Sequence, residues 1–247
     1  MPDYTTASFR LHDDCEVEVR CVHDPRARRM KLSINERGVR LTLPPRSDPI
    51  VVERFLLQQR DWLRQQWHRC HGEHSVSPLR RFQSAELPLH GMALPLHWRE
   101  GTYGKVELAS NRVIFQLPAG ASDMALRNAL REFYESQARA DIGRWLPKYL
   151  PGLPSPPTRI RLKVMSSQWG SLAPNGALAL DLALTLGRPS AFEYVLVHEL
   201  CHLIHHNHSA AFWQEVTRRF PTWRDERDYF RREGRRLKTL LHALLHC

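Results

Sequence analysis

Apolar and polar positions alternate along the first part of the chain, at Val17, Val19 and Cys21, then at Met30, Leu32 and Ile34, then at Val39, Leu41 and Leu43. A period of two puts such residues on one face of an extended chain, so the pattern predicts β-strands, with a hairpin turn at Asn35 to Gly38. A helix follows, with Ser47 or Asp48 as its N-cap, Pro49 in its first turn and Phe55, Trp62, Leu63 and Trp67 as apolar anchors. Alternation returns in Val106 and Leu108 and, after a Ser110-Asn111 turn, in Val113, Phe115 and Leu117. Residues 1–118 therefore read as a strand-rich region.

From Ser122 to about Tyr149 the apolar spacing becomes helical, through Leu126, Leu130, Phe133, Ile142, Trp145 and Leu146, and it stops at the proline-rich PGLPSPP of 151–157. A strand at Ile160, Leu162 and Val164 and a loop at 166–176 come next. In ALALDLALTL, residues 177–186, every even position is Leu, which predicts a second strand with one strongly apolar face. Asp181 falls on the other face and reads as a solvated carboxylate rather than the hydrogen-bond partner of a histidine. The fold class expected is α+β, with the strand-rich region at 1–118 and a helical region carrying a small antiparallel sheet at 119–247. No internal repeat is visible.

Composition adds few constraints. Hydrophobic residues make up 42% of the 247 and charged residues 25%, the proportions of a globular protein. The five cysteines form no CxxC pair and are expected as free thiols, Cys201 among them as a packed one. No apolar run is long enough to cross a membrane and the N-terminus has no signal-peptide pattern, so a cytoplasmic location is expected. The net charge of +10 invites an anionic partner, a nucleotide or nucleic acid. The excess is spread along the chain, however, which predicts no concentrated basic face.

The chemistry lies in VHELCH. A capping-box pattern at Ser190 to Glu193, directly after Pro189, predicts a helix that carries His198 and His202 four residues apart. That spacing puts both imidazoles on one face, where they can share a metal ion, and Glu199 beside them can reach a water on the metal without ligating it. A tetrahedral site needs a third protein ligand. His205 is one turn on along the same straight helix, too far to converge, and His206 points elsewhere. His208 is placed to return if Asn207 takes a left-handed conformation and ends the helix. Ser209 then caps another helix, with Phe212, Trp213, Val216 and Phe220 on its buried side. Trp169, Gly170 and Ser171 are candidates to line a substrate cleft through backbone donors, the alternative being a structural turn. The arginine-rich stretch at 224–238 reads as the solvated face of an amphipathic helix.

HELCHLIHHNHSAAFW closely resembles the signature of the YgjP-like (DUF45) metallopeptidase-domain family, a zincin group related to the SprT-like proteases that act on proteins attached to DNA. The resemblance extends upstream through SSQWGSLAPNGALALDLALTLGRPSAFEYVLVHEL and RARRMKLSINERGVRLTLPPR. It implies a zinc ion, Zn2+, on His198, His202 and His208, with Glu199 as catalytic base and an antiparallel strand over the active-site helix. Three positions depart from the family pattern, with Gln168 in place of a basic residue, Leu172 in place of Cys and Asp181 in place of Asn. The histidine spacing also resembles that of metzincins, but His205 replaces their glycine and no Met follows Met165 for a Met-turn.

The first expectation is therefore a zinc metallopeptidase acting on a peptide or protein strand held against 177–186. A zinc hydroxide can equally attack a phosphoanhydride, so a nucleotide hydrolase is the alternative. A nucleic-acid-associated protease or binding protein is the third.

Overall fold

The computed structural model describes residues 4–12, 15–35, 38–71 and 79–246. The chain divides into two compact units, Met1–Val76 and Ser77–Cys247. In the first, β1 (Tyr4–His12), β2 (Cys15–His23), β3 (Lys31–Asn35) and β4 (Gly38–Leu43) form a sheet in the order β1-β2-β4-β3. Only β2 and β4 run parallel. Residues 36–37 of the expected hairpin turn lie outside the described residues, while Asn35 and Gly38 on either side pair with each other. Asp48 caps α1 (Pro49–Gln58), its carboxylate accepting from the Ile50 N–H at 2.8 Å.

The expected single helix is broken at Gln59, and α2 (Arg60–His71) follows. Val19, Leu41 and Leu63 sit at the centre of this unit's core. Trp62, expected as an anchor, is instead 38% exposed, because Leu63 takes the buried face and its neighbour points about 100° away.

The second unit opens with β5 (Glu86–Leu89), β6 (Met92–Glu100), β7 (Lys105–Ala109) and β8 (Arg112–Leu117) in the order β5-β6-β8-β7. Again only the middle pair is parallel. The two sheets share one topology, and their last hairpins share a register. Lys31 opposite Thr42, Leu32 opposite Leu41 and Ile34 opposite Val39 recur as Lys105 opposite Gln116, Val106 opposite Phe115 and Leu108 opposite Val113, each 74 positions on. The N-cap recurs at the same spacing, from Asp48 to Ser122, whose hydroxyl accepts from Ala125 N–H at the start of α3 (Asp123–Tyr149). This repeat was not legible as sequence identity, because strand pairing constrains the period and burial of residues rather than their identity.

The boundary between units lies at 76/77 rather than at the expected 118/119. Leu87, Leu89, Phe115 and Leu117 share one core with Leu130 and Phe133 of α3, so this sheet belongs with the helices that follow it.

Beyond α3, β9 (Arg159–Lys163), β10 (Gly170–Leu172) and β11 (Ala177–Asp181) form a small sheet in the order β10-β11-β9. It is mixed, since β10 is antiparallel to β11 and β9 is parallel to it. The expected strand at 177–186 ends at its midpoint. Asp181 accepts from the Ala183 N–H at 3.0 Å and turns Leu182–Leu186 into a 3-10 helix that is buried throughout. Three helices follow, α4 (Pro189–Cys201), α5 (Ala210–Arg219) and α6 (Trp223–His246).

The expected capping box at Ser190 is not used. Arg188 is the N-cap, with no side-chain cap, and Pro189 supplies the preset first turn. Glu193 accepts instead from the Tyr149 hydroxyl at 2.7 Å and from Lys148 at 3.2 Å, tying α4 to α3. Among the described residues no helix is long and apolar enough to cross a membrane.

Arg219 holds α5 against the end of α3, donating to Tyr149 O at 2.8 Å and Pro151 O at 3.2 Å. Glu215 holds Arg219 in turn at 2.5 Å, and Arg218 at 2.6 Å. These guanidinium groups pull the Glu215 carboxyl down from 4.5 to about 2. Its stabilising contribution is therefore complete above pH about 4.5 and is lost as pH falls toward 2. Glu215→Gln should lower stability at pH 7 by roughly 1–3 kcal/mol in urea unfolding. The gap between variant and wild type should close as the pH approaches 2 to 3, by the same linkage.

Candidate metal centre

Helix α4 is apolar around nearly its whole circumference, with Phe192, Val195, Leu196, Val197, Leu200 and Cys201 all buried. Such a helix belongs in the middle of a core and holds its few polar side chains rigidly. Cys201 is fully buried, as expected for a packed thiol, and burial pushes it up to about 12, so it stays protonated.

The helix ends at Cys201 with His202 as C-cap. Asn207 does not take the left-handed conformation expected of it. The chain returns because the last turn tightens, with Leu203 bonding to Leu200 O and Ile204 to Cys201 O, and because Asn207 Oδ1 then accepts from the Ser209 N–H at 3.2 Å. Ser209 caps α5 as expected, accepting from the Phe212 N–H. Both bends bring His208 back over α4.

One ring nitrogen from each of His198, His202 and His208 lies within 4.8 Å of the other two. Nε2 of His198 faces Nε2 of His208 at 3.1 Å. Nδ1 of His202 is 3.0 Å from His205 O, and a carbonyl can only accept, so Nδ1 carries the proton and Nε2 keeps its lone pair. Burial, reinforced by the two neighbouring imidazoles, pushes His198 down to about 3, which keeps it neutral. Phe212 stacks on His202 with centroids 4.5 Å apart, and Trp213 stacks on His208 at 5.7 Å. Imidazoles oriented so closely, one with its second nitrogen tied to a carbonyl, fit a divalent transition metal.

Glu199 is 7% exposed, and burial pushes it up to about 7. The β10 backbone lies directly against it. A Cβ on Gly170 would stand 2.6 Å from Glu199 Cγ, so only glycine fits there.

The family model for YgjP-like metallopeptidase domains matches residues 28–233. The chain belongs to the YgjP-like metallopeptidase-domain family. The match runs through both compact units and includes the histidine cluster and Glu199. No curated protein matches the chain. A solved structure, the metallopeptidase zymogen of Pyrococcus abyssi abylysin, is 24% identical over 42% of this chain and 95% of its own, with a TM-score of 0.30.

In this YgjP-like chain the cluster opens into a cavity of about 850 Å³. Trp169, Gly170 and Ser171 line it, as do Gln168 and Leu172, two of the positions that depart from the family pattern. His206, expected to point elsewhere, also lines it, whereas His205 contributes its carbonyl to His202. Tyr194, Arg227 and Phe230 complete the wall and were not foreseen. Tyr194 stands four residues before His198, so helical spacing alone could have flagged it. Arg227 and Phe230 come from α6, and no sequence signal links that helix to the motif.

Asp181 is fully buried rather than solvated. Lys238 of α6, expected on a solvated face, donates to the Asp181 carboxylate, to Met165 O at 2.7 Å and to Gln168 O at 2.9 Å. It also lies 4.3 Å over the Trp169 ring. One ammonium thus fixes the loop that enters β10, and it does so from beyond the span matched by the family model. Lys238→Met should leave the buried carboxylate unpaired and lower stability by about 3–5 kcal/mol, read as a fall in the urea midpoint. Adding Asp181→Asn should restore part of that loss.

Proposed function

We propose that the chain is a zinc metallopeptidase, with His198, His202 and His208 as ligands and Glu199 as general base. The observation that carries this reading is the meeting of three imidazoles, from the end of α4 and from the following loop, next to a buried carboxylate. Neutral nitrogen donors suit zinc, which in a catalytic site takes three protein ligands and keeps one position open. Zinc bound there would polarise a substrate carbonyl and acidify a water molecule. Glu199 takes the proton from the attacking water on its carboxylate and returns it to the leaving amide nitrogen.

The substrate strand is assigned to β10 rather than to 177–186. β11 is the middle strand of its sheet, with both edges occupied by β10 and β9, whereas β10 is an edge strand whose residues line the cavity. A peptide added there pairs through its backbone and passes Glu199.

Glu199→Gln should bind one equivalent of zinc by metal analysis yet hydrolyse casein roughly 10²–10⁴-fold more slowly than wild type. Turnover equal to wild type would remove Glu199 from the chemistry. His208→Ala should fall well below one equivalent of zinc, and full occupancy in that variant would reject the third ligand.

A further inference from the structure

The cavity holds two formally charged side chains, Glu199 and Arg227. Acidic side chains of α6 around Arg227 are already engaged. Arg188 takes Glu226 at 2.7 Å, Arg231 takes Asp228 at 2.6 Å, and Arg236 takes Glu233 at 2.9 Å. The acids flanking Arg227 are thus held by other arginines, and among the described residues no carboxylate lies within ion-pair distance of Arg227 itself.

Arg227 rests on aromatic rings instead, 5.5 Å from the Trp213 centroid and 6.0 Å from that of Trp223. Those two rings stack on each other at 4.5 Å, and Trp213 in turn stacks on His208. The guanidinium is therefore held on a rigid platform that continues to the histidine cluster. Its charge is felt at His198 and at the Tyr194 hydroxyl. A guanidinium fixed by ring contacts keeps its N–H donors free, and a carboxylate is the peptide group that matches their fork.

We propose that Arg227 is the specificity residue of this cavity and binds a carboxylate of the peptide substrate, either an acidic side chain or the C-terminal group. The proposal rests on the peptidase reading above and adds to it the class of peptide selected. Zinc-loaded full-length protein would be given N-acetylated, fluorescence-quenched peptides that differ at one position in Glu, Gln or Lys. Each would be made as the free acid and as the C-terminal amide. Wild type should favour peptides carrying the carboxylate at least tenfold in kcat/KM, the difference lying in KM. Preference for Glu over Gln in the amides identifies a side-chain carboxylate, and preference for free acid over amide identifies the C-terminus.

Arg227→Met should abolish the preference and leave neutral peptides within about threefold of wild type. Arg227→Glu should move the preference to Lys. An equal loss of kcat on every peptide in Arg227→Met would overturn the proposal, since it would place the charge on the reacting oxygen. A wild type without preference would overturn it too.

Calorimetric titration of zinc-loaded Glu199→Gln with the same peptides separates this inference from the peptidase reading. Tighter binding of carboxylate peptides, lost when Arg227→Met is added, supports it even if no peptide is cut. Equal Kd values overturn it even if peptides are cut.

Discussion

Burying a helix around nearly its whole circumference leaves little solvated face for its polar side chains, so each must find a partner or a cavity. Helix α4 carries His198 and Glu199 in that situation. Burial, helped by the neighbouring imidazoles and Arg227, pushes the imidazole down to about 3, and burial pushes the carboxyl up to about 7. The neutral state of the histidine and the raised carboxyl of the glutamate thus share burial as their largest cause. The cavity beside them exists because the chain closes over α4 from two directions, with β10 on one side and the loop to α5 on the other.

Glycine at 170 is the condition for the first of these closures. The backbone of β10 stands where any Cβ would collide with Glu199, so the edge strand and the carboxylate share a tight contact. Gly234 plays the same part for Trp169, whose ring would lie 2.9 Å from a Cβ there. Lys238 then binds two carbonyls of the entering loop and the Asp181 carboxylate together. A residue near the C-terminus of the chain therefore sets the position of a strand that borders the cluster.

The repeated sheet adds a second layer of organisation. Two four-stranded sheets of one topology, each followed by a capped helix, occur in succession, and only the second shares a core with the helix that carries His198 and Glu199. In that unit Leu130 and Phe133 of α3 share the core with the sheet and α4, and Trp145 meets Phe192 edge-on at 5.3 Å. Only the second copy thus packs in one core with α4.

By itself the sequence determined what depends on local spacing. Period-two alternation placed most of the strands, the caps at Asp48 and Ser209 and the helical spacing from Ser122 placed three helices, and the four-residue step from His198 to His202 put two imidazoles on one face. The α+β class and the family followed from the same local patterns. The tertiary structure alone decided what depends on distant contacts. Asp181 is buried because Lys238 lies 57 residues away in the chain and reaches it, which no local pattern encodes. The strand at 177–186 stops halfway because Asp181, held by Lys238, caps a 3-10 helix through the Ala183 N–H. Arg227 and Phe230 reach the cavity because α6 packs against α4. Burial and partner choice are properties of the packed chain, and so the chemical state of each candidate residue is decided there.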